Sequence, residues 1–329
     1  LSNNKIINAP RDILSAMDIN DIRTAQNRIA PYLKRTPLEY SETLSRRLGT
    51  RVYVKYEMFQ KTGSFKARGA FNKLLSTTAA ERAGDVVAVS GGNHAQAAAY
   101  AAAVLGLDAV ILMPQSTPQN YVDATRDYGA TVELLPTIAE AFEQVQTYQA
   151  EGRVFLHPFD DPLIMAGQGT VGLEIMEDLP GATDVIVSIG GGGLAGGVST
   201  ALKAIKPEIR VWGVETVGAE SMSQALAAGQ PVEVTNTSIA KTLSAPHVSD
   251  ATLVLAQQNL ESVTLVTDAE AVAALTFIAE RLKVLTEPAA SCTLAAAEHL
   301  RDNFTPESKV VLILCGGNTG IADVCGYIS

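Results

Sequence analysis

The sequence predicts an α/β protein built on parallel sheet with crossover helices. Short β-branched runs alternate with alanine-rich stretches along the chain, and four of those runs lead straight into glycine or a sharp polar turn. Parallel strands crossed by helices keep their carboxyl ends open, which is where open α/β sheets bind ligands. At 329 residues the chain is long enough for about two domains. Its 47% hydrophobic content against 18% charged supplies a large dry core, without the bias of a disordered or disulfide-stapled chain.

The expected strands, in order, are 51–56, 85–90, 108–113, 131–135, 184–189, 211–215 and 309–315. The second runs into SGGNH (Ser90, Gly91, Gly92, Asn93, His94) and the fifth into GGGGLAGG from Gly190. The sixth runs into VETVGAES, ending at Ser221, and the last into CGGN from Cys315. The most apolar stretch, 97–107, lies between Gln96 and Asp108 and falls far short of the ~20 residues of a membrane span, so it reads as a buried helix. Residues 76–158 hold their own alternation of strand and helix. They end in the turn-rich HPFDDP from His157, read as the return crossing between two lobes that share one cleft.

A net charge of -10, with no long run of either sign, repels phosphate backbones, so nucleic acid is not an expected partner. Three cysteines, Cys292, Cys315 and Cys325, are a sparse and odd set. They point to reduced thiols and a cytoplasmic setting. The sequence begins at Leu1 without a methionine, and no targeting segment is visible in it.

GGGGLAGG follows the apolar strand DVIVSI and precedes a helical stretch. Strand, glycine loop and helix is the geometry in which bare N–H groups and a helix N-terminus hold a phosphate, although a purely structural turn has the same look. No Gly-Lys-Ser/Thr follows, as a P-loop requires, and the loop lies mid-chain rather than after a first strand, where a dinucleotide fingerprint would be. A single phosphate monoester fits better. Lys66, in KTGSFKARGA, stands among small residues beside Phe65. An arbitrary lysine is a solvated surface charge, but one desolvated against an aromatic ring has a lowered pKa and an amine free for a Schiff base.

KTGSFKARGA, SGGNHAQ, GQGTVGLEI, GGGGLAGG, VLTEP and CGGN occur here in the order found in fold-type II pyridoxal-phosphate enzymes. The chain resembles that family over about residues 20 to 325, most of all its serine/threonine dehydratases and serine racemase. The resemblance implies two open parallel-sheet lobes, 1–75 with 159–329 and 76–158, and an active site in the cleft between them. It implies pyridoxal phosphate as cofactor, with Lys66 as its Schiff-base lysine and Phe65 stacked on its ring. Asn93 would bond its 3-hydroxyl, and Gly190, Gly191, Gly192, Gly193 and Leu194 would cradle its phosphate. Glu287 would lie near the ring.

Ser90, Gly91, Gly92, Asn93 and His94 match the loop that holds a substrate carboxylate. Asn93 and His94 also read as caps of the following helix. By composition Cys315 is a packed core residue; in CGGN it would face the pyridine nitrogen. A neutral thiol does not hold that nitrogen protonated as an aspartate would, which favours elimination of a β-substituent. The implied activity is a dehydratase, or ammonia-lyase, acting on a β-hydroxy amino acid such as L-threonine or L-serine. Alternatives are a 3-hydroxyaspartate dehydratase, a serine or aspartate-type racemase, and a non-catalytic pyridoxal-phosphate-binding protein.

Three departures bear on that expectation. The racemase carries a serine just before this Gly-Asn-His; here the position is Gly91, with no side chain to deliver a proton, which favours the dehydratase. The family's divalent-ion position corresponds to Glu215, Ala219 and Ser221, where a serine replaces the carboxylate that Mg²⁺ or Ca²⁺ prefers. A family Ala-Asp-Gly segment appears as Ser244, Ala245 and Pro246. The chain ends soon after CGGN, so the regulatory module of biosynthetic threonine dehydratases is not expected, and a homodimer is the common family state.

Overall fold

The computed structural model describes residues 17–328. Its ten described strands are β1 (Leu38–Tyr40), β2 (Arg51–Tyr56), β3 (Val86–Val89), β4 (Ala109–Pro114), β5 (Thr131–Leu135), β6 (Val154–Leu156), β7 (Asp184–Ser188), β8 (Arg210–Thr216), β9 (Ser262–Val266) and β10 (Lys309–Leu314). They form two sheets, one of six strands in the order β1-β2-β10-β7-β8-β9 and one of four in the order β5-β4-β3-β6. Every neighbouring pair is parallel except β1 with β2. Central strands β7 and β10 are buried almost throughout, as helices on both faces require, and their DVIVS and KVVLIL runs are correspondingly apolar.

The seven expected strands are all present, each within one residue of its expected ends. The three not anticipated carry weak signals. β1 and β6 have three residues each, and β9 is an edge strand whose SVTLV is only partly buried. Among the described residues no helix is long and apolar enough to cross a membrane.

Three helices, Lys66–Ser76, Pro162–Asp178 and Gly193–Ile205, meet almost backbone to backbone. A Cβ on Gly167 would lie 2.6 Å from the Arg68 carbonyl oxygen, and one on Gly197 2.2 Å from that of Met165. The glycines of GQGTVGLEI and GGGGLAGG are therefore required by helix contact as well as by any ligand.

That close approach encloses four charges. Arg68 donates to both oxygens of Glu57 (2.8 and 2.8 Å), to both of Glu174 (2.7 and 2.9 Å) and to Thr170 (3.0 Å). Lys55 donates to Glu174 (2.5 Å) and to the Thr36 carbonyl (2.7 Å). Lys55 and Glu57 are 0% exposed and Arg68 1%. Burial works against the charge on Arg68, but the two carboxylates outweigh it and raise its pKa; burial likewise opposes ionisation of Glu174, and Arg68 and Lys55 outweigh it. Balanced charges in low dielectric hold only while each partner is present. Arg68→Ala is expected to cost about 3–5 kcal/mol of stability in urea unfolding. Arg46→Ala, which removes an exposed pair with Glu42, is expected to cost less than about 0.5 kcal/mol. Equal losses would contradict the assigned role of the buried cluster.

Candidate active site

Lys66 begins its helix at the end of a turn stitched to the chain leaving β10. The Phe65 N–H donates to the Cys315 carbonyl (3.1 Å), that of Gly317 donates to Gly63 (3.0 Å), and Ser64 bridges to Gly316. Arg68 holds the far side of the helix, and on the near side Lys66 Nζ donates to the Pro158 carbonyl at 2.6 Å. The amine lies 5.2 Å from the centroid of the Phe65 ring. The Lys66 side chain keeps some accessible surface, yet desolvation lowers its pKa to about 8, partly offset by Cys315 and Glu287.

Facing this turn, β7 ends in the four glycines 190–193. A Cβ on Gly191 would lie 2.2 Å from the Phe159 ring, one on Gly193 2.9 Å from the Phe159 carbonyl, and one on Gly190 3.0 Å from that of Leu243. Gly192 takes φ +90 at the head of helix Gly193–Ile205, whose N-terminus has no side-chain cap. Leu194 is buried in the first turn. Bare backbone with an uncapped helix dipole suits a phosphate monoester.

A hydrogen-bond chain starts from the Lys66 turn. Asn318 Nδ2 donates to the Thr62 carbonyl (2.7 Å) and to Asn93 Oδ1 (2.8 Å), while Asn93 Nδ2 donates to Glu287 Oε1 (2.6 Å). Glu287 also accepts from the Asn318 N–H (3.2 Å) and from Thr242 Oγ1 (2.6 Å). Burial raises the Glu287 pKa, and these donors oppose it. Tyr121 Oη donates to the Asn318 carbonyl. Cys315 Sγ lies 4.0 Å from Ser188 Oγ and 3.7 Å from the Ala289 carbonyl, with Cys292 Sγ 3.5 Å from the same serine. Burial pushes the Cys315 thiol well up, so it stays neutral.

The SGGNH turn closes on itself, Ser90 Oγ accepting from the Gly92 N–H at 3.0 Å. Helix Asn93–Val104 has no side-chain cap, so the capping reading of Asn93 and His94 is not what forms. Asn93 reaches Glu287 and Asn318 instead, and His94 Nε2 lies 2.8 Å from the Leu156 carbonyl. Desolvation, helped by nearby Lys66, drops the His94 pKa to about 3, so the ring is neutral and donates through Nε2. His94 Nδ1, Ser64 Oγ, Thr117 Oγ1, Ser244 Oγ and Thr286 Oγ1 are buried without a protein partner, all within or next to these turns. A polar ligand would satisfy such atoms.

The expected divalent-ion position has another use. Glu215 accepts from the N–H groups of Met222 (2.7 Å) and Ser223 (2.9 Å) and from Ser223 Oγ (2.6 Å), capping helix Ser221–Ala228. Desolvation raises its pKa to about 7. Ala219 and Ser221 are buried, and the Ser221 hydroxyl has no protein partner. Among the described residues no group of three or more His, Cys, Asp or Glu side chains suits a metal. One carboxylate engaged as a helix cap does not fit a hard cation, because the second carboxylate is a serine.

The structure thus brings Lys66, Phe65, the glycine loop, Asn93, His94, Glu287 and Cys315 together. Sequence reasoning missed Phe159, the Pro158 carbonyl, Thr242, Thr117 and Asn318. Two signals were available: HPFDDP stood out as a lobe crossing, and Asn318 completes CGGN.

The family model for pyridoxal-phosphate dependent enzymes matches residues 29–316. An L-threonine ammonia-lyase of Thermotoga maritima is 40% identical over 306 residues, 92% of this chain and 76% of that protein. An L-threo-3-hydroxyaspartate ammonia-lyase of Pseudomonas sp is 36% identical over 305 residues, 92% of this chain and 95% of that protein. The solved structure of maize serine racemase superimposes with a TM-score of 0.89 at 36% identity, covering 95% of this chain and 97% of that one. An amine desolvated beside an uncapped glycine cradle and a family match across most of the chain agree: this protein belongs to the pyridoxal-phosphate dependent enzymes.

Proposed function

We propose that this chain is an ammonia-lyase that converts a β-hydroxy amino acid, threonine or serine first, to a 2-oxo acid and ammonia. The observation that carries the reading is the Lys66 amine, held at 2.6 Å from the Pro158 carbonyl with its pKa lowered to about 8. Pyridoxal phosphate, when bound, supplies the electron sink that stabilises charge at a substrate α-carbon. Lys66 Nζ would hold the cofactor, and the same amine, unprotonated, is the group that would take a substrate α-proton. Phe65 would flank the cofactor's ring, Asn93 would bond its hydroxyl edge, and the glycine loop with Leu194 would hold its phosphate. Glu287 positions Asn93, and the neutral Cys315 thiol supplies no anion to the ring nitrogen. Departure of the β-hydroxyl as water, its added proton coming from the cofactor's phosphate, would avoid storing charge at the α-carbon, and hydrolysis of the released enamine would give the 2-oxo acid and ammonia.

Ser90, Gly92, Asn93 and His94 hold the substrate carboxylate. The two sheets act as the two lobes, 1–75 with 159–329 and 76–158, of which 1–16 and 329 lie outside the described residues. A homodimer in the cytoplasm completes the reading, and light scattering tests the dimer. The Pseudomonas relative, named for L-threo-3-hydroxyaspartate, is the reason to assay that compound beside serine and threonine. No step is assigned to a metal.

The test is 2-oxo acid and ammonia release from both enantiomers of serine and threonine and the 3-hydroxyaspartate stereoisomers, with cofactor supplied. Release from one of them is expected, and none from any would overturn the reading. Lys66→Ala should lower turnover by at least about 100-fold while the circular dichroism spectrum is unchanged; near-normal turnover would remove Lys66 from its role. The amine reacts only unprotonated. Borohydride-trapped capture of pyridoxal phosphate by the apoprotein should therefore rise about tenfold per pH unit below a midpoint of about 8 and level off above it. A midpoint at the ordinary lysine value of 10.5 would show that the site does not desolvate the amine.

A further inference from the structure

Two threonines stand against the two glycines of the SGGNH turn. A Cβ built on Gly92 would lie 3.3 Å from Thr242 Cγ2, and one on Gly91 2.5 Å from Thr117 Oγ1. The two hydroxyls are employed differently. Thr242 donates to Glu287, whereas Thr117 Oγ1 is buried and has no protein partner. Its position is set by backbone: the Thr117 N–H donates to the Pro114 carbonyl (2.9 Å), closing the turn that leaves β4. β4 runs parallel to β3 with Leu112 beside Val89, and the Ser90 N–H donates to Leu112 (3.1 Å). Both turns therefore leave the carboxyl edge of the smaller sheet side by side, where α/β sheets bind ligands.

A buried hydroxyl without a partner is unfavourable unless a ligand or water completes it. The space is also taken from the neighbouring position, since a side chain at residue 91 would run into that oxygen. An Oγ placed here by Gly91→Ser would meet the threonine hydroxyl rather than open space, so the single substitution does not isolate the effect of a serine at that position.

We propose that Thr117 is a substrate-binding residue, its hydroxyl filling the space that Gly91 leaves and donating to the substrate carboxylate held on residues 90–94. The inference rests on the proposed ammonia-lyase reading for the identity of the substrate. The first turn of helix Asn93–Val104, which leaves this glycine turn without a side-chain cap, and a hydroxyl donor beside it suit one carboxylate.

The experiment compares holoenzymes carrying Thr117→Val, Thr117→Ser, and the pair Gly91→Ser with Thr117→Ala, which moves the hydroxyl to the other side of the same space. KM for the turned-over amino acid is measured together with the Kd of L-alanine, which has the carboxylate but no β-hydroxyl, from the change in cofactor absorbance. Thr117→Val should raise both about tenfold, Thr117→Ser should stay within about twofold, and the pair should recover most of the loss. Unchanged KM and Kd in Thr117→Val would overturn the proposal, as would equal losses in Thr117→Ser and Thr117→Val. If Thr117→Val does not fold, failure of the pair to bind L-alanine better than Thr117→Ala alone would overturn it. Failure of the two readings is separable. A wild-type enzyme that turns over with no Thr117 dependence rejects only this inference. L-alanine binding that depends on Thr117 in an enzyme without lyase activity rejects only the reaction.

Discussion

Arg68 and the three charged side chains around it determine where Lys66 stands. The cluster contains two cations and two carboxylates with almost no exposed surface, and each charge faces an opposite one within hydrogen-bond distance. Displacing one member of such a set strands another in low dielectric. It joins β2, the short helical turn after it, helix Lys66–Ser76 and helix Pro162–Asp178. Lys66 is two residues from Arg68 on the same helix, so fixing the guanidinium fixes the direction in which the amine leaves the first turn. A lysine must be held this way if it is to keep a lowered pKa rather than swing into solvent.

The second constraint is the strip of chain that returns from the smaller sheet. Its Leu156 carbonyl accepts from His94, its Pro158 carbonyl accepts from Lys66, and the Phe159 ring closes over Gly191. Three residues of one four-residue stretch thus touch His94, Lys66 and the glycine loop. The Asn318–Asn93–Glu287 chain ties the SGGNH turn to the turn before Lys66 through side chains. Both sheets contribute to it, so the geometry of the site and the relative placement of the sheets are one problem. The glycines are where this crowding is resolved: at residues 91, 191, 193 and 316 a Cβ would fall within 3 Å of another residue's atoms.

The Glu215 region shows how a motif can keep its carboxylate and change its use. With serine at residue 221, the remaining carboxylate turns to the open N–H groups of the next helix. The open N–H groups of a helix N-terminus give a carboxylate donors and a favourable dipole, and such a cap needs no second acid.

The sequence by itself determined the α/β class, seven strands to within a residue, and the strand-ending turns that bear Asn93, Gly190 and Cys315. Those features depend on neighbours along the chain: apolar runs long enough to be central strands, and glycine where a strand must turn sharply into a helix. β1, β6 and β9 lacked that signal because they are short or lie at an edge, where pairing rather than composition makes the strand. Tertiary structure alone decided that Asn93 reaches a glutamate 194 residues away rather than capping its own helix. It alone seated Phe159 on the glycine cradle, turned Glu215 inward and set Thr117 against Gly91. These contacts are made by side chains on different elements, and a sequence specifies them only through the packing of those elements, which no local pattern encodes.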